Sequence, residues 1–157
     1  MDVTPQQVVE HPEHQGRNVT LICGPPGSGK TTLGLHLHPE TLDIGEMPAG
    51  TPRERMRLFG LIAYRVGRSP HANVAVIRGA PTAAERQHQQ KLCRPSRTVV
   101  MLTDADECHR RIAARNRHGI DGRDLAGQHD AVDAWWIQWL TETPQAHTSR
   151  GTNSLGL

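Results

Sequence analysis

Short β-branched apolar runs alternate along this chain with longer amphipathic segments. That alternation predicts strands and helices in turn, and so a parallel sheet with helices on its faces. Val19-Thr20-Leu21-Ile22-Cys23 reads as a first buried strand, and Thr31 to Leu37 as the opening of a helix over about 30–38. Thr41-Leu42-Asp43-Ile44 is a second short strand, ended by Gly45. Thr51-Pro52-Arg53-Glu54 carries a helix start, with Thr as N-cap, Pro at the first helical position and Glu three residues on. That helix gathers Met56, Phe59, Ile62, Ala63 and Val66 on one apolar face, leaving Arg53, Arg57 and Arg65 elsewhere. Residues 73–78 form a third strand, Thr82-Ala83-Ala84-Glu85 repeats the capping signature, and residues 98–102 form a fourth strand. Asp104-Ala105-Asp106-Glu107 opens a helix running to about Arg115.

The last helix is expected over about 131–140, where Val132, Trp135, Trp136 and Trp139 fall at i, i+3, i+4 and i+7. All three tryptophans lie on this stripe. They could stack a base or bury the helix against the sheet edge; the reading adopted is burial. Residues 1–17 are polar, with Pro5 and Pro12, and read as a loosely held arm. Residues 141–157 lack periodicity and read as a disordered tail, which leaves 18–140 as the folded domain.

Between the first strand and its helix stands Gly24-Pro25-Pro26-Gly27-Ser28-Gly29-Lys30-Thr31, followed by Thr32: a complete G-x-x-x-x-G-K-[ST] phosphate-binding loop. Its glycines let successive N–H groups turn into one concavity, to which the helix adds its positive end. Lys30 supplies a mobile charge for the β- and γ-phosphates, and the Thr31 hydroxyl is placed to ligate Mg²⁺. The sequence therefore predicts ATP and Mg²⁺ as ligands on an α/β, single-domain P-loop NTPase fold.

Composition narrows this further. A length of 157 residues suits one domain. No apolar run is long enough to cross a bilayer, and Met1-Asp2-Val3-Thr4-Pro5 lacks a signal-peptide pattern, so the expectation is a cytoplasmic protein without a membrane partner. Cys23, Cys93 and Cys108 cannot all pair and read as reduced thiols. A net charge of +2 does not demand a nucleic-acid partner. His109 and His118 read as isolated, and no histidine pair has zinc-site spacing with the cysteines. The oligomeric state is not encoded in any pattern seen here.

Second signals sort the possible chemistries. An N-K-x-D base-reading motif, expected of a GTPase, is absent. Asp104, Asp106 and Glu107 lie past their strand, where carboxylates suit a helix N-terminus better than a strand-end Mg²⁺ site. A small kinase needs an acid at the tip of the second strand and a basic lid. Asp43, or Glu46 a turn further on, supplies the acid able to deprotonate an attacking hydroxyl. The arginine-rich stretch from Arg110 to Arg123 supplies the lid, with Arg111 and Arg115 on one helical face and Arg117 and Arg123 in its flexible part.

On Gly24-to-Thr32, the Asp43 position, Val76-Ile77-Arg78-Gly79-Ala80-Pro81-Thr82-Ala83-Ala84-Glu85-Arg86 and Arg115-Asn116-x-x-Gly119, residues 18–140 resemble the P-loop kinases grouped with phage polynucleotide 5′-kinase and small kinase-like proteins of actinophages. The resemblance implies Lys30 and Thr31 on phosphates and Mg²⁺, Asp43 or less well Glu46 as general base, and Arg115 or Arg117 as the lid arginine. Gly45 stands where members often carry a second Asp, and Arg78-Gly79 where the polynucleotide kinases carry an acid. The function expected is transfer of the γ-phosphoryl group of ATP to a nucleic-acid 5′-hydroxyl or to a nucleoside or nucleotide. An ATP-hydrolysing NTPase and a nucleotide-binding module without catalysis are the alternatives.

Overall fold

A computed structural model describes residues 4–47, 50–117, 125–142 and 152–155, with the side chains of 46, 116, 117 and 152–155 outside that description. The elements in chain order are β1 (Gln6–Glu10), β2 (Asn18–Cys23), α1 (Lys30–Leu37), β3 (Glu40–Asp43), α2 (Pro52–Arg68), β4 (Asn73–Arg78), α3 (Ala83–Cys93), β5 (Arg97–Met101), α4 (Ala105–Arg117), α5 (Leu125–Thr141) and β6 (Thr152–Leu155). They build an α/β structure around a six-stranded sheet of order β3-β4-β2-β5-β1-β6.

The sheet is mixed, which corrects the expectation of a parallel one. β3, β4, β2 and β5 run parallel, but β1 pairs antiparallel with β5, and β6 antiparallel with β1. The segment read as a loose arm thus supplies β1, with Val8 and Val9 buried. Arg17 fastens the same region to two helix ends. Its guanidinium donates to the carbonyls of Val66 (2.6 Å) and Arg94 (2.8 Å), a cation placed where helix C-termini present unpaired oxygens. The tail expectation is corrected in part, because 152–155 form β6; residues 143–151, 156 and 157 lie outside the described residues.

Alternation along the strands divides the core in two. Leu21, Cys23, Val74, Val76 and Val100 face one way, onto Phe59 and Ala63 of α2, Cys93 of α3 and Trp135 and Trp139 of α5. Ile22, Ala75, Ile77, Val99 and Met101 face the other way, with Leu33 of α1 packed against them. The tryptophan stripe is therefore core, as expected, with Val132, Trp135 and Trp139 buried and Trp136 partly buried. Trp135 also donates its indole N–H to the Gly79 carbonyl at 2.8 Å. α5 begins at Leu125, six residues ahead of the expected start near 131. Met56, assigned to the apolar face of α2, is 47% exposed instead.

α2 and the end of α3 come close together at Gly67. A Cβ there would stand 2.0 Å from the Leu92 carbonyl oxygen, which is backbone and cannot rotate away. Gly67→Ala is expected to force the two helices apart at a cost of about 3 kcal/mol, the upper range for overpacking. Thermal unfolding should show Tm lowered by about 6–12 °C.

Candidate functional site

The site follows from the order of the strands. After β2 the chain passes through α1 to β3, beyond β4 on one side, and only later places β5 on the other. The carboxyl end of β2 is thus the point where connections diverge, where open α/β sheets leave a crevice for ligands. The Gly24–Thr31 loop occupies it.

Two glycines make the loop possible. Gly27 and Gly29 have φ of +77° and +95°, the left-handed region that side chains disfavour, and Gly29 is the N-cap of α1. Gly27 also packs so closely on α4 that a Cβ would lie 2.9 Å from the Cys108 carbonyl oxygen. Neighbouring elements brace the loop: Gly24 N–H donates to the Gly79 carbonyl (3.1 Å), and Thr103 Oγ1 to the Ser28 carbonyl (2.9 Å).

Around this loop is a cleft of about 320 Å³, lined by Gly24, Pro26 to Thr32, Asp43 to Gly45, Ile77 to Gly79, Arg115 and Gln128. Pro25, expected among the binding residues, is fully buried beneath the loop and is absent from this lining; its carbonyl accepts from Lys30 Nζ at 2.9 Å. Lys30 Nζ also donates to the Gly24 carbonyl at 2.6 Å, so the ammonium rests on its own loop. Burial lowers its pKa to about 8, against the opposing pull of Asp43.

Asp43, at the end of β3, reaches the same place. Its Oδ2 accepts from Thr31 Oγ1 at 3.4 Å, and its Oδ1 caps the following turn by accepting from Gly45 N–H at 2.9 Å. Lys30, Thr31 and Asp43, chosen from sequence, therefore meet in one cleft. Thr31 and Asp43 offer a hydroxyl and a carboxylate, the hard oxygen donors that suit Mg²⁺.

The arginines divide. Arg115 lines the cleft and donates to Gln128 Oε1 at 3.3 Å. Arg111 braces the loop, donating to the Gly27 carbonyl (3.4 Å) while Glu107 holds its Nε (3.0 Å). The Arg117 side chain, Arg123 and the rest of the 118–124 segment lie outside the described residues, as does the Glu46 side chain. Asp104 caps α4 by accepting from Glu107 N–H at 2.8 Å, in keeping with the capping role read from sequence.

Two polar side chains of the cleft were not foreseen as site residues. Arg78 enters from β4, and Gln128 from the first turns of α5, inside a segment that reads as a polar connection. His109, read as isolated, is not. It bonds His129 (Nδ1 to Nδ1, 2.6 Å) and Asp133 (2.9 Å), tying α4 to α5. The three cysteines are free and buried; burial pushes Cys23 and Cys93 up to about 12 and Cys108 to about 11, leaving unreactive thiols. Among the described residues no helix is long and apolar enough to cross a membrane, and no cluster of His, Cys, Asp and Glu is arranged for a metal ion.

Comparison of the chain with protein-family models, with curated proteins and with solved structures finds no match in any of the three.

Proposed function

We propose that this chain is a Mg²⁺-ATP-dependent kinase on a P-loop NTPase fold, transferring the γ-phosphoryl group of ATP to a hydroxyl acceptor. The observation that carries the reading is the convergence of Lys30, Thr31 and Asp43 on one cleft at the diverging ends of β2 and β3. Loop N–H groups and the α1 N-terminus cradle the phosphates. Lys30 leaves the Gly24 and Pro25 carbonyls for the β- and γ-phosphate oxygens, and Arg115 covers them from α4. Thr31 would hold Mg²⁺ beside the Asp43 carboxylate, and the ion would neutralise charge on those oxygens.

The acceptor oxygen forms its bond to the γ-phosphorus as the bond from that phosphorus to the β–γ bridging oxygen breaks, and ADP leaves. The acceptor proton passes to the Asp43 carboxylate. Turnover of ATP with and without acceptor tests this. A kinase consumes ATP slowly until a hydroxyl acceptor is added; steady phosphate release without one marks a hydrolase, and binding without turnover marks a module that has lost its chemistry.

The Lys30 environment gives a pH dependence. The free ammonium titrates near 8, whereas bound triphosphate holds the proton on by direct pairing. Binding above pH 8 must therefore take up a proton, and ATP affinity is expected to fall as pH rises from about 8 toward the ordinary lysine range of about 10.4. Titration calorimetry at pH 8.5 in two buffers of different ionisation heat should show this uptake, and Lys30→Ala should remove it.

A further inference from the structure

A second cleft, of about 440 Å³, opens between α2 and α3. It shares Arg78 with the loop cleft, so the two clefts adjoin at that side chain. Phe59, 1% exposed, is among the residues lining it, and the Arg78 guanidinium lies 5.0 Å from the centre of that ring. Two polar groups here are buried without a partner among the described residues: Arg78 Nε, and Oε1 of Gln89, a residue only 6% exposed. A buried acceptor left unpaired costs about 1–3 kcal/mol, and folded proteins keep few of them. Gln89 also lines this cleft.

We infer that the α2–α3 cleft is the acceptor site of the proposed kinase, and that it takes a single neutral nucleoside, base first. The inference rests on the kinase reading and narrows its acceptor. The occupant needs an apolar face for Met56, an N–H for Gln89 Oε1, and an oxygen reaching past Arg78 toward the triphosphate. A nucleobase with its sugar has all three. Glu85 and His88 also line the cleft, where the Glu85 carboxylate offsets the charge of the Arg78 guanidinium and leaves little net attraction for a phosphate, which favours a nucleoside over a nucleotide. The cleft's volume lies in the range of small-ligand sites.

The test is calorimetric titration of adenosine, guanosine, cytidine and uridine, and of a 5′-hydroxyl oligonucleotide, into the full chain saturated with Mg²⁺ and a non-hydrolysable ATP analogue. At least one nucleoside should bind saturably, and Gln89→Leu should weaken it by about tenfold. Ala84→Trp, at an exposed α3 position on the cleft, should fill the space and abolish nucleoside binding even if the Gln89 variant folds poorly. Both variants should keep the affinity for the ATP analogue. Binding of the analogue but of no nucleoside, binding of the oligonucleotide alone, or nucleoside affinity unmoved in both variants would overturn the assignment. Failure of the analogue itself to bind overturns the kinase reading beneath it, a result distinct from the others.

Discussion

Lys30→Ala is expected to lower phosphoryl transfer by about 10²–10³, the scale on which one preorganised donor at developing charge contributes. Lys30 is the one cation that the loop itself carries, and its ammonium already sits within the ring of loop atoms, 2.6 Å from the Gly24 carbonyl. Removing it leaves the loop N–H groups and Arg115 to face the phosphates. Affinity for ATP should fall too, since a charge-assisted bond is lost in the bound ground state. The fold should survive, because among the described residues the ammonium donates its hydrogen bonds to carbonyls of its own loop, Gly24 and Pro25. Equal thermal unfolding beside lost transfer is the diagnostic pair; unchanged transfer would remove the loop from the account.

Asp43→Asn tests a different part of the site. The amide keeps the size of the carboxylate, and its oxygen can still accept from Gly45 N–H, so the turn after β3 should persist. What it loses is the capacity to take a proton. ATP binding should remain nearly intact while transfer drops by about 10²–10⁴, the contribution of a positioned general base. Steady-state kinetics separates the two effects, since the loss should appear in kcat and not in the apparent affinity for ATP. Unchanged turnover would move the base elsewhere, Glu46 being the next acid along the chain.

These two residues were legible in the sequence because phosphate chemistry imposes local order. Lys30 and Thr31 must follow the glycines directly, and a catalytic acid must stand where a neighbouring parallel strand ends, so short-range spacing carries the information. The caps at Thr51 and Thr82 were legible for the same reason, and each threonine hydroxyl accepts from the N–H three residues on. β1 was not legible. Gln6-Gln7-Val8-Val9-Glu10 offers two adjacent apolar residues and no alternation, and it is a strand because β5 and β6 flank it, a non-local fact.

Side chains that reach the clefts from a distance were hidden likewise. Arg78 stood out only as a departure from the resemblance, and Gln128 and Gln89 belong to no motif. Gln128 reaches Arg115 because α4 and α5 pack through Cys108, Ile112 and Val132. Gln89 is buried because α3 covers the sheet beside α2. Helix pairing put them there, and helix pairing leaves no short signature in a chain. The histidine link misread as isolated has the same origin, since His109 and His129 are twenty residues apart in sequence and meet only across α4 and α5.

Transfer of a γ-phosphoryl group to a hydroxyl is the activity proposed for the loop cleft. Label transfer from γ-labelled ATP with Mg²⁺ to a panel of nucleosides, nucleotides and 5′-hydroxyl DNA and RNA tests it most directly, with Lys30→Ala as the control. Label is expected on a nucleoside product with the wild-type chain and is expected to be lost with the variant. Label recovered only as free phosphate, or left wholly on ATP, would contradict it.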